Sequence, residues 1–199
     1  MRKRLVARLG VLVVLSLCCA AGPASAEPKY VGVKDCGRCH KKELIGDQLG
    51  KWKEGPHAKA MEALKSDEAK KIAAERGLAK PPHEADECVK CHATAHGLTA
   101  AQVAKKPLLI ADGVQCESCH GPGSDYRSNK VMSDHDLAVQ KGMWNPAEDE
   151  KICTKCHNSD SPTWDAAKGF DFAKAKEENA HPIPEDVKGK YLELSKKKK

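Results

Sequence analysis

Apolar and polar positions are distributed very unevenly along this chain. A single long apolar run, Leu9 to Ala21, follows Arg2, Lys3, Arg4 and Arg8 and leads into Pro23 and Ala24-Ser25-Ala26. A basic start, an apolar middle and an A-x-A end form a cleavable export signal, so cleavage is expected after Ala26. Beyond it, no apolar run approaches the roughly 20 residues that cross a bilayer, and the chain does not read as membrane-spanning. Residues 57–65 and 67–76 carry helical periodicity, with Ser66 as an N-cap between them and Gly77 as a stop. Weaker helical patterns cover 99–104 and 186–195. Runs of strand type reduce to Leu108-Leu109-Ile110, while Pro and Gly punctuate 107–162. The pattern predicts a mainly α fold with long loops: residues 1–26 as signal peptide, 27–199 as one compact domain.

Composition sharpens this picture. In 199 residues, 31% are charged and only 2 Phe, 3 Trp and 3 Tyr are available, which is a poor supply for an ordinary side-chain core. Something else must fill the interior. Loss of the signal removes four basic residues and no acidic ones, lowering the formal charge from +6 to +2. The clustered positive footprint of a nucleic-acid binder is therefore missing, and Lys196 to Lys199 read as a solvated tail. Cys18 and Cys19 do not form a lipid-attachment site, because Leu17 and Cys18 stand where that processing needs a small residue.

The eight cysteines after residue 26 fall into four units of one form: Cys36-Gly-Arg-Cys39-His40, Cys88-Val-Lys-Cys91-His92, Cys116-Glu-Ser-Cys119-His120 and Cys153-Thr-Lys-Cys156-His157. In C-x-x-C-H the two thiols add to the vinyl groups of a haem, and the adjacent histidine is carried under the ring to bind iron. Disulfide staples and zinc sites also use closely spaced cysteines, but neither explains four adjacent histidines. Four covalently attached haem c groups follow, one for about every 43 residues of the exported chain. The porphyrin faces then supply the missing core. Eight ionised propionates would move the formal charge from +2 to about −6 before the irons are counted. Each motif is expected to begin a short helix, and the motif spacings of 52, 28 and 37 residues are too irregular for a repeat array.

Five further histidines, His57, His83, His96, His135 and His181, are available as sixth ligands. Met61, Met132 and Met143 are the other option, but methionine more often fills gaps in a core, and histidine ligation is favoured throughout. His57 follows Gly55-Pro56 at a helix start; His135 follows a Gly-Pro-Gly turn and a polar loop; His181 precedes Pro182. His96 stands four residues after His92, so on a continuing helix both would share a face and serve different haems. His83 follows Pro81-Pro82, five residues before Cys88.

Tyr30-Val-Gly-Val-Lys-Asp-Cys36, Trp52, Gly55-Pro-His57-Ala-Lys-Ala-Met61 and Gly113-Val-Gln-Cys116-Glu-Ser-Cys119-His120-Gly-Pro-Gly123 resemble the tetrahaem cytochrome c-554 family over roughly residues 30–181. The resemblance implies a mainly helical fold with haems stacked in close pairs, and an electron carrier of the kind that accepts electrons from hydroxylamine oxidoreductase. It also implies three bis-histidine haems and a second haem that is five-coordinate, a site proposed for small nitrogen oxides. By motif order His135 would serve the first haem, His57 the third and His181 the fourth. The departure is His96, with His83, either of which could close the second iron.

Function then turns on iron access. Four closed irons pass electrons between redox partner proteins, while one open iron can bind nitric oxide or hydroxylamine. The carrier is the preferred function, in the periplasm or outside the cell. A homo-oligomeric extracellular filament, with the surplus histidine ligating a neighbour's haem, is a third reading. A nitrite-reductase type of site would have lysine in place of one motif histidine, and all four motifs end in His. A hydroxylamine-oxidoreductase type would carry more haems and a tyrosine cross-link; Tyr126, near the third motif, reads instead as a surface residue.

Overall fold

A computed structural model describes residues 27–188 and 190. The expected signal peptide and most of the expected helix over 186–195 lie outside these residues; residues 185–188 form a turn. Ten short α-helices follow one another: α1 Val33–His40, α2 Gln48–Glu54, α3 Ala60–Ala63, α4 Asp67–Glu75, α5 Asp86–His92, α6 Cys116–His120, α7 Asn129–Met132, α8 His135–Gln140, α9 Glu150–Thr154 and α10 Phe172–Glu178. Among the described residues there is no strand, only an isolated bridge between Tyr30 and Val103. Leu108-Leu109-Ile110 is not extended pairing; Leu109 and Ile110 are exposed and Ile110 starts a 3-10 turn.

Local rules account for many of these boundaries. Ser66 caps α4, accepting from Ala69 N–H at 3.1 Å, and Asp47, Asp134, Asp149 and Asp171 do the same for α2, α8, α9 and α10. The helix expected over 57–65 begins three residues late, because 57–59 are used in a turn that carries His57. Residues 99–104 shorten to a 3-10 turn, Ala100–Gln102, closed by a Thr99–Gln102 capping box.

The motifs do not begin their helices as expected. Only α6 starts at its first cysteine; α1 and α5 start earlier, and α9 ends inside its motif at Thr154. In α5 the acidic pair Asp86-Glu87 occupies the first turn, where the helix dipole favours it, so the motif falls at the C-terminal end.

Helix α1 packs on α2 and α6, α3 on α5, and α6 on α9. Gly37, inside the first motif, makes the α1–α2 approach close: a Cβ there would lie 2.8 Å from a Leu49 methyl. The apolar interior is small. Met61, Leu64, Val89 and Ala93 form one cluster, with Cys88 of the second motif packed against it. Other buried apolar side chains, among them Val33, Ala138 and Ile152, lie outside this cluster.

Candidate haem-binding sites

All eight motif cysteines are free thiols, so no disulfide framework holds this domain. Among the described residues no three His, Cys, Asp or Glu side chains converge as a metal-ion site would require, which gives a zinc centre no support. The thiols instead meet between motifs. The thiol of Cys36 in the first motif lies close enough to that of Cys116 in the third to perturb its ionisation, and the same holds for Cys91 of the second and Cys156 of the fourth. Cys119 of the third motif lies within electrostatic reach of Cys153 and Cys156 of the fourth. Burial raises the Cys119 thiol to about 11 and the Cys156 thiol to about 12, whereas Cys116 is lowered, chiefly by its interaction with Cys36.

The histidines are arranged with equal economy. His57 faces His157 with ring centroids 6.1 Å apart and planes at 77°, and His120 faces His181 at 5.9 Å and 79°. Two metal–nitrogen bonds of about 2 Å, with about 1 Å from each nitrogen to its ring centre, put two axial imidazoles about 6 Å apart. Both ring pairs thus have the spacing of ligands on opposite sides of one iron. His57 stands beside the histidine of the fourth motif, and His181 beside that of the third. The carbonyl of His57 accepts from Val114 N–H at 3.1 Å, and Trp52 donates to the carbonyl of Val114 at 2.8 Å, which ties the His57 turn to the segment leading into the third motif. Gly113, at φ +67°, allows this approach; a Cβ there would lie 2.9 Å from the His57 carbonyl oxygen.

Ring orientation follows from second contacts. The Nδ1 of His92 lies 2.7 Å from the Ala60 carbonyl oxygen, that of His181 2.7 Å from the Asn179 carbonyl oxygen, and that of His40 3.2 Å from Gln48 Oε1. Each acceptor requires the proton on Nδ1, which leaves Nε2 with the lone pair a metal needs. Burial lowers His40, His57 and His157, and takes His120 down to about 4, with His181 and His40 adding to the effect. All are neutral imidazoles at neutral pH, the ligating form.

The remaining candidates stand differently. His135 opens α8 and is exposed, bonded only to neighbouring Asp136. The chain before it does reach the first motif: Arg127 pairs with Asp35, and Asn129 Oδ1 lies 3.8 Å from Cys39 Sγ. Helix α5 stops at His92 with Ala93 extended, so His96 is released from the shared face that a longer helix would impose. Its Nε2 lies 3.1 Å from Asp86 Oδ1, and His83 Nε2 lies 3.6 Å from Glu84. Neither ring is set against His92. Met61 is buried in the apolar cluster, whereas Met132 ends α7 and Met143 lies in the loop after α8.

Tyr126 is not at the surface. It is 7% exposed, and its hydroxyl donates to the Gly121 carbonyl at 2.7 Å and to that of His120 at 3.1 Å, bracing the end of the third motif. Two neighbouring side chains escaped sequence reasoning altogether. Gln115 and Glu117, 2% and 1% exposed, reach across to the start of α1, where Gly32 offers no cap of its own. Gln115 Oε1 accepts from Val33 N–H at 2.9 Å, and its buried Nε2 has no partner. An acceptor on a group bound beside Cys116 would satisfy that donor. In sequence Gln115 merely precedes the third motif and Glu117 is one of its variable positions, so neither residue's burial is marked.

These features agree with comparison to known proteins. The pattern of the family described as cytochrome c554 and c-prime matches residues 35–121, which take in the first three motifs and His57. Cytochrome c-554 of Nitrosomonas europaea is 34% identical over 158 residues. The chain belongs to the cytochrome c-554 family. The alignment covers 72% of this chain and 64% of that relative, less than two thirds of its length. No solved structure matches. As a c-type cytochrome, this family member carries covalently bound haem iron, and its helical, strand-free described region suits that class. Among the described residues no helix is long and apolar enough to cross a membrane.

Proposed function

We propose that this cytochrome is an exported electron carrier, working in the periplasm or at the cell exterior between redox partner proteins. Four haems would be attached at Cys36/Cys39, Cys88/Cys91, Cys116/Cys119 and Cys153/Cys156, with His40, His92, His120 and His157 as proximal ligands. The two ring pairs at about 6 Å carry this reading, since irons closed on both faces hold no position for a substrate and can only exchange electrons. His57 would close the fourth haem and His181 the third. His135, on the segment that reaches the first motif, would close the first. The thiol contacts support close pairing of first with third haem and second with fourth, with the third and fourth motifs linking the pairs.

One observation favours a second reading at the second haem. His83 and His96 are engaged by Glu84 and Asp86 rather than facing His92, which would leave that iron open to nitric oxide or hydroxylamine. Low-temperature electron paramagnetic resonance of the oxidised holoprotein, with and without nitric oxide, separates the two. An open second iron would give three low-spin haems and one high-spin signal that changes with the gas. Four low-spin irons indifferent to it would leave a carrier alone and refute the open second site.

A further inference from the structure

Glu117 lies between the two cysteines of the third motif and is 1% exposed. Both its oxygens face backbone donors. Oε1 accepts from Gly123 N–H at 2.7 Å and Val31 N–H at 2.9 Å, and Oε2 accepts from Gly32 N–H at 2.7 Å and Val31 N–H at 3.2 Å. A protonated acid would have to turn its O–H toward one of these N–H groups, so the arrangement suits the ionised carboxylate. Desolvation is the larger effect and holds the carboxyl above its usual range, while the three backbone N–H groups pull it back toward the charged form.

What this anion lacks is a cation. Among the described residues no Lys, Arg or His forms an ion pair with it; the nearest arginines, Arg38 and Arg127, both go to Asp35, itself an anion that adds to the repulsion. A buried carboxylate without a positive partner is costly, even when hydrogen-bonded. Its charge also reaches the thiols of Cys36 and Cys116 and the hydroxyls of Tyr30 and Tyr126, whose negative forms it disfavours. The two thiols are attachment points of two different motifs. A ferric haem core, Fe³⁺ on a dianionic porphyrin with neutral axial histidines, carries one net positive charge, and reduction removes it.

We propose that Glu117 is the shared counter-ion of the first and third haems, holding that pair oxidised relative to the second and fourth. The proposal rests on the haem reading above. The same carboxylate ties Val31 and Gly32, at the entry to α1, onto α6, so it fixes the separation of the two motifs as well as their field. The charge and the tether are separable by substitution.

The test uses matured, full-length holoprotein: wild type, Glu117→Gln and Glu117→Asp, each with haem counted by the pyridine haemochrome spectrum and titrated spectroelectrochemically at one pH. In Glu117→Gln, two of the four transitions are expected to become at least tenfold easier to reduce, about 59 mV for a one-electron couple. The other two should hold still, and Glu117→Asp should stay near wild type. With four haems present, unchanged transitions, a uniform shift of all four, or an aspartate variant that behaves like glutamine would overturn the counter-ion. A wild-type count other than four would instead refute the haem reading. If the glutamine chain fails to mature, redox-difference infrared spectra of wild type decide the matter: a glutamate carboxylate band must change as the lowest-potential pair is reduced, and its absence would overturn the proposal.

Discussion

At the scale of single residues, the histidines divide by what their nitrogens already do. His57, His120, His157 and His181 have ring partners at ligand spacing, while His83 and His96 are bonded to carboxylates on the surface. His57→Ala and His181→Ala should therefore each convert one low-spin haem to high-spin, at different irons, and the double variant should convert two. Electron paramagnetic resonance of the three proteins checks this; two single variants that lose the same signal would sink the pairing. Adjacency made the four proximal histidines readable, because C-x-x-C-H is contiguous. The rings that stand against two of them lie far along the chain, 100 residues in the case of His57 and His157, a relation that motif order does not contain. Burial was equally hidden: Tyr126 and Glu117 look like surface residues until the loops close over them.

Among the elements, those governed by neighbours in sequence were the legible ones. Helix α4 forms where Ser66 and the Asp67-Glu68 first turn predict it. Ser66→Ala should cost about 1 kcal/mol, lowering the melting temperature by roughly 2–4 °C in a chain of this size, with the haem spectra unchanged. Calorimetry alongside visible absorption tests both halves. The motif helices obey another rule. Helices α1, α5 and α6 have no side-chain cap of their own, and α1 is held at its start by Gln115 and Glu117 from the third motif. A cap supplied 82 residues away leaves no trace in local sequence, which is why the motifs were expected to begin helices that mostly end with them.

For the whole molecule, the decisive quantity is how little apolar side chain is buried. One cluster of Met61, Leu64, Val89 and Ala93 is too small to organise the 163 described residues of short helices and loops, so the attached haems must supply the remaining contacts. A chain with serine at all eight motif cysteines should lose most of its helical circular dichroism. Its radius of gyration should rise from about 16 Å toward the roughly 44 Å of an unfolded chain after signal removal. Small-angle scattering measures this directly, and a compact serine variant would show that side chains suffice.

Contiguous patterns determined much about this protein without any coordinates. Four C-x-x-C-H units specify the chemistry of attachment, the scarcity of aromatics specifies that a cofactor fills the core, and Ser66 and Gly77 bracket one helix, because each rests on residues a few positions apart. The tertiary structure alone decided which histidine faces which, that the thiols of the first and third motifs meet, and that an ordinary-looking glutamate is buried between them. Those relations depend on how long loops are anchored, through Trp52, Gly113 and Val114 on one side and Val31 and Gly32 on the other. Hydrogen bonds between distant segments, most of them joining a side chain to the backbone, carry that information, and no single stretch of sequence contains both ends of such a bond.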